Sequence, residues 1–260
     1  MTPHPIPRYL SRPKLFFLLS ILVIALFAPT PFAVISPGPV TDLLDKGIKI
    51  TGGQDLTTSG KLFSLSVFVN NPESRPPGFL VLAAWIRGES LVLPNEIVYE
   101  KNVSTKESKA QGKKDMRTSE TRATIAAANF IKALNPNEPP TWSLKDIEFA
   151  MKKVGGPSAG LAFSLALIAK LKSPELISGR NIAVTGTINE SGAVGRIGGI
   201  DQKLISAKQA GVTIAIIPKS NCSDITIETG GMQVIAVKTL TQAVHGLASQ
   251  EFSQTMLCDA

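Results

Sequence analysis

Three side chains in this chain could together carry out acyl-transfer chemistry: Ser158, Lys203 and Thr185. Ser158 lies in VGGPSAGLAFSLALI, residues 154–168, behind two glycines and a proline and ahead of a long apolar run. Gly155, Gly156 and Pro157 bend the chain and let its backbone approach a ligand closely. A helix opening at Ser158 would place the hydroxyl near free N–H groups and the positive end of the helix dipole. Such a position suits an oxyanion, a phosphate or a plain capping serine. These residues alone leave the three open.

A nucleophilic serine needs a base, and the composition narrows the choice. There are two histidines, His4 and His245. His4 precedes the apolar N-terminal segment, and His245 sits in the last amphipathic stretch with no pattern around it. A histidine-rich zinc site is therefore excluded. The two cysteines, Cys222 and Cys258, form no C-x-x-C, so no metal or redox motif is expected, and whether they pair is open. No metal and no cofactor is implied. The base that remains is a lysine whose pKa burial has lowered.

Most lysines lie in polar runs, but Lys203 does not. At 100° per residue, Ile200, Leu204, Ala207 and Ala210 define one apolar face. Lys203 falls between Ala207 and Ala210, inside it. A stem that snorkels to water is the ordinary explanation. A buried ammonium would cost several kcal/mol, so it would call for a purpose. Upstream, TGTINESGAVGRIGGIDQK (185–203) is rich in glycine. It reads as tight turns in a sheet, or as a floor of Gly155, Gly186, Gly198 and Gly199 beneath an extended substrate. Thr185, at a strand end, is placed to orient an amine or a serine by hydrogen bonding.

The elements that must position these residues mix helix and strand without strict alternation, which indicates α+β. Strands are expected at 63–69, 79–86, 146–150, 182–188, 212–217 and 232–237. Helices are expected at 116–134, 158–171, 201–210 and 240–247, with Gly211 as a stop signal. Residues 101–114 are polar and lysine-rich and read as a solvated loop.

GGPSAG at 155–160, TGTI at 185–188 and GAVGRIGGIDQK at 192–203, followed by AGVTIAIIP at 210–218, resemble the proteolytic domain of Lon-type serine proteases. The resemblance is strong over 116–247 and weaker over 37–110. It implies a Ser-Lys dyad of Ser158 and Lys203, 45 positions apart, with Thr185 in support. The backbone around Gly156, Pro157 and Ser158 would form the oxyanion site. One departure is that the family pattern has an acidic residue where this chain has Gly155. Another is the absence of a G-x-x-x-x-G-K-[ST] loop, so the expected activity is ATP-independent and no nucleotide is expected. The N-terminal half is similar to membrane-anchored bacterial Lon-like proteases, but without room for their PDZ module. The family also implies a homo-oligomer. The rival readings are a small-molecule kinase and a catalytically inactive, membrane-tethered interaction domain of the same fold.

The net charge is +7, and setting aside Arg8, Arg12 and Lys14 leaves 24 basic against 20 acidic residues. A nucleic-acid partner has little support in so mild an excess. Residues 15–35 are 21 uncharged, mostly apolar positions, enough to cross a bilayer. The basic residues before them put the N-terminus in the cytoplasm. The expected organisation is a basic segment at 1–14 and a transmembrane signal-anchor at 15–35. A strand-rich part at 37–115, a catalytic part at 116–250 and a tail at 251–260 would lie outside the bacterial cytoplasmic membrane. The expected substrate is a peptide or unfolded protein segment.

Overall fold

The computed structural model describes residues 11–51, 55–137, 142–151, 154–249, 252 and 256–258. Most of the basic segment expected at 1–14, and most of the tail at 251–260, lie outside the described residues.

Ten strands and seven α-helices make up the described fold. The strands are β1 (Phe32–Asp42), β2 (Ile48–Ile50), β3 (Lys61–Val69), β4 (Leu91–Pro94), β5 (Ile147–Phe149), β6 (Asn181–Val184), β7 (Thr187–Ile188), β8 (Val194–Gly195), β9 (Ile214–Pro218) and β10 (Gln233–Val237). The helices are α1 (Arg12–Phe27), α2 (Gly78–Arg87), α3 (Asn95–Val98), α4 (Thr105–Leu134), α5 (Gly160–Leu171), α6 (Ile200–Gln209) and α7 (Leu240–Ser249). Six strands form the main sheet in the order β10-β9-β6-β3-β1-β4. The β10-β9, β9-β6 and β6-β3 pairs are parallel, while β1 pairs antiparallel with both β3 and β4. The fold is thus a mixed α+β domain.

Strand alternation builds a core on each face of this sheet. Ile182 and Val184 of β6, Ile216 of β9, and Ile235 and Val237 of β10 join one cluster with α4, α5 and α7. Ala183, Ala215, Ile217, Val234 and Ala236 point the other way and pack with Ile200, Leu204 and Ala207 of α6. The parallel strands therefore have helices on both faces. Their C-terminal ends open between α5 on one face and α6 on the other.

The N-terminal segment departs from the expectation of one span over 15–35. The helix stops at Phe27 after 16 residues, and Phe32 already begins β1. Pro29 and Pro31 end the helix because neither can donate the next backbone bond. No helix among the described residues is long and apolar enough to cross a membrane. The expected boundary near residue 36 falls inside β1, whose register with β3 shifts between Pro37 and Val40. That irregularity accommodates two prolines in a strand.

Two further expectations fail. Residues 79–86 form α2, not a strand; Pro77 caps its start and Gly88, at φ 70°, ends it. Residues 105–114 are the first turns of α4 rather than a loop. Ser104 and Glu107 make a reciprocal capping box there. The boundary expected at 115–116 lies within this helix. The strand expected at 182–188 is split into β6 and β7 by Thr185 and Gly186.

Candidate active site

Ser158 lies in the turn between β5 and α5. The helix expected from Ser158 begins at Gly160, with Ala159 as its cap, and no side chain caps it. Ser158 is therefore not a capping serine. The backbone of its turn is fixed at three points. The Ser158 carbonyl accepts from Gly186 N–H (2.8 Å) and from Thr185 Oγ1 (3.2 Å). Leu161 N–H donates back to the Gly186 carbonyl (3.0 Å). The Pro157 carbonyl accepts from Ser119 Oγ of α4 (3.0 Å). These bonds hold the Ser158 backbone, and none of them uses its hydroxyl.

Lys203, on the second turn of α6, is 2% exposed. Its Nζ donates to Thr185 Oγ1 at 3.1 Å. No carboxylate pairs with it among the described residues. Burial pushes its pKa down from the usual lysine range to about 7. Thr185 is fully buried just beyond β6, its N–H bonded to the Ile216 carbonyl. Its hydroxyl thus accepts from the lysine and donates to the serine's own carbonyl, linking α6 to the serine turn.

Ser158, Lys203, Gly155, Gly198 and Gly199 line one pocket of about 360 Å³. Strand β3 from Leu65 to Val69, together with Ile35 and Met116, forms its apolar wall. A Cβ on Gly198 would meet nothing within 4 Å, so this glycine leaves the pocket open. Gly199 has φ +65°, and a Cβ there would reach Val67 at 3.1 Å. Gly186 does not line the pocket; it anchors the serine turn from behind. A Cβ on it would press on Leu161 and Val194.

The expected oxyanion residues need correction. Pro157 has no N–H to donate. Gly156 donates its N–H to the Gly112 carbonyl of α4 at 2.9 Å. The N–H groups of Ser158 and Ala159 have no backbone acceptor among the described residues, and they sit at the start of α5, where the helix dipole favours negative charge.

The approach of α4 also gives Gly155 a physical reason. A Cβ at Gly155 would lie 3.1–3.2 Å from three backbone atoms of Gly112. Here helix backbone occupies the space that a carboxylate side chain would need. A Cβ on Gly112 would sit 3.6 Å from Gly155 Cα, an ordinary contact, so the approach constrains Gly155 rather than Gly112.

Sequence reasoning missed the support beneath residues 196–199. The buried Asn221 side chain accepts from Ile197 N–H (3.0 Å) and donates to the Ile197 carbonyl (2.9 Å). Arg196 pairs with Asp224 at 2.6 Å. The neighbouring Cys222 forms a disulfide with Cys258, which settles the open question of their pairing. A lone asparagine in a polar stretch carries no pattern that would have revealed this role.

Residues 147–247 match the Lon protease (S16) C-terminal proteolytic domain. The chain is 41% identical over 92 residues to an archaeal Lon protease from Methanocaldococcus jannaschii, covering 35% of this chain and 14% of that protein. It is 34% identical over 91 residues to Lon protease 2 of Bacillus subtilis, covering 35% and 16%. With a Lon protease of Azorhizobium caulinodans the identity is 28% over 131 residues, covering 46% and 15%. The chain therefore spans only a small part of the length of these relatives. The matched stretch, residues 147–247, holds Ser158, Thr185 and Lys203.

Proposed function

We propose that this chain is a membrane-anchored, ATP-independent serine endopeptidase in which Ser158 is the nucleophile and Lys203 the general base. The observation that carries the proposal is a buried lysine with no carboxylate partner, its pKa near 7, lining the same pocket as an uncapped serine hydroxyl. At neutral pH a large fraction of Lys203 is the free amine. One of its N–H groups bonds to Thr185, and its lone pair is free to take the Ser158 proton.

The Ser158 oxygen attacks the scissile carbonyl carbon, and its proton moves to Lys203. The carbonyl oxygen becomes an oxyanion facing the Ser158 and Ala159 N–H groups, where one donor is worth roughly 3 kcal/mol. Protonated Lys203 then gives its proton to the leaving amine as the C–N bond breaks. Water, deprotonated by the same lysine, hydrolyses the acyl-enzyme and regenerates Ser158.

Substrate lies extended along the wall formed by β3. With no phosphate-binding loop in its sequence, the chain acts on flexible peptides or already unfolded segments. The relatives and the fold favour a homo-oligomer as the working form. The anchor is α1, which has no buried residue and whose apolar stretch from Leu15 to Phe27, too short to span by itself, is extended by the uncharged residues 28–31. Arg12 and Lys14 precede its apolar stretch and stay on the cytoplasmic side. The Cys222–Cys258 disulfide suits a body outside the cytoplasm.

The test is cleavage of casein and of peptide libraries without nucleotide, followed by mass spectrometry. The chain should cut, and Ser158→Ala and Lys203→Ala should each abolish cutting. Full activity in either variant would sink the dyad.

A further inference from the structure

The N-terminal half holds a second apolar element that the proteolytic site does not use. Helix α2 carries Phe79, Leu80, Leu82, Trp85 and Ile86 exposed, with Trp85 and Ile86 each 71% accessible. No residue of α2 is buried. A ten-residue helix of this composition is rarely left in water.

Its position relative to α1 points to what covers it. Gly78, the first residue of α2, donates its N–H to the Ala28 carbonyl at the end of α1 (3.1 Å). Thr30 is bonded to the Pro76 carbonyl by both its N–H (3.0 Å) and its hydroxyl (2.7 Å). The Phe27 and Phe79 rings are 5.5 Å apart. A Cβ on Gly78 would strike the Ala25 carbonyl oxygen, so the contact admits only glycine. The start of α2 is thus locked to the point where the chain leaves α1.

We infer that α2 is a membrane-docking helix that lies in the headgroup region of the bilayer beside the exit of α1. The inference rests on the anchoring of α1 proposed above. Helix α1 is apolar around its circumference from Leu15 to Phe27 yet has no residue buried in the body, as suits a helix embedded in lipid. Helix α2 starts at that same boundary. Its sequence is uncharged from Pro76 to Ile86, with Arg75 and Arg87 at its two ends, a pattern that fits an apolar body between anionic headgroups. Trp85, two residues before the helix end, is of the type that settles at the membrane–water interface. After α2, three residues lead into β4, whose Leu91 pairs with Ile35 on the pocket wall. Docking of α2 therefore sets the tilt of the strands that hold substrate.

The experiment uses the full chain with Trp142→Phe, which leaves Trp85 as the one tryptophan. It is placed in vesicles of phosphatidylcholine and phosphatidylglycerol with brominated acyl chains. The expected result is a chain that resists an alkaline wash and whose Trp85 emission falls roughly two-fold or more with bromolipid, consistent with an interfacial depth. Ile86→Glu in the same background should lose that quenching while keeping peptide cleavage in detergent. A chain retained by the vesicles, with Trp85 open to aqueous iodide and blind to bromolipid, would overturn α2 docking and leave the α1 anchor standing. A retained chain whose Trp85 is shielded from both quenchers would assign α2 to a second copy or another protein, and would equally overturn it. A chain washed out of the vesicles would remove both the anchor and the docking.

Discussion

Lys170 at the end of α5 and Lys203 near the start of α6 lie on opposite faces of the same sheet, and both are nearly inaccessible to water. Lys170 is provided for in the ordinary way. Its Nζ is 3.1 Å from Asp55 and donates to the Leu44 carbonyl at 3.1 Å. Lys203 has one hydroxyl and, among the described residues, no carboxylate. A buried ammonium that keeps its charge needs a counter-charge, and one that lacks it lowers its pKa instead. The first lysine fastens the end of a helix to a loop. The second lines the pocket that also holds Ser158, where the proposed function needs a base. Burial alone does not separate the two roles, but the nature of the partner does.

The difference is open to direct challenge. The largest effect expected is on catalysis: Lys203→Ala should lower kcat/KM by at least about 10³-fold. Lys170→Met should leave it within a few-fold. Peptide hydrolysis by the two purified variants measures this contrast, and equal losses would erase it.

Thr185→Val comes next, because it removes the acceptor for Lys203 and the donor to the Ser158 carbonyl. A fall in kcat of roughly 10- to 100-fold is expected, with a smaller change in KM and recovery in Thr185→Ser. Unchanged kcat would mean that Lys203 needs no orienting partner.

Asp55→Asn should destabilise the fold by about 1–3 kcal/mol by removing the carboxylate that pairs with Lys170, discounted because Asp55 is partly exposed. Denaturant melts read this, and adding Lys170→Met should restore most of the loss. A double variant no more stable than Asp55→Asn would show that the pair is not what holds that corner.

The last effects follow from pH. The folded-state pKa of Lys203 is near 7, below its unfolded value of about 10.4. Between these values the unfolded chain binds the extra proton, so this group's contribution to stability rises with pH over that window. Below about pH 7 its destabilising effect is fully present, and above the unfolded value it is gone. Lys203→Met should therefore gain stability over the parent at pH 6 and lose that advantage by pH 10. The parent's cleavage rate should rise through a single ionisation near pH 7 and then level off. A rate that instead falls through pH 7 would require a charged lysine.

Much of this site could be read in the sequence, and the reasons are local. Lys203 was visible because helical periodicity alone puts it among Ile200, Leu204 and Ala207. The turn before Ser158 was visible because glycine and proline punctuate the chain. What stayed hidden depends on contacts between distant segments. Gly112 looks like an ordinary break in a polar stretch until its carbonyl meets Gly156 N–H. That single bond occupies the Gly156 N–H, one of the donors expected for an oxyanion. Residues 79–86 were misread because an unbroken apolar run has no period to distinguish helix from strand. The S-x-x-E signature at Ser104 and Glu107 was available, and it marks the start of α4 that the lysine-rich composition concealed.

Strand β1 has a mechanical consequence. Phe27 ends α1 and Ile35 lines the pocket, and those eight residues can span no more than about 26–29 Å. The pocket is on a short leash. If this pocket is the proteolytic site proposed above, whatever grips α1 also fixes the radius within which a peptide bond is cut. A substrate fastened to the same support is then chosen by how far its cleavable bond stands from that support, before any side chain is inspected.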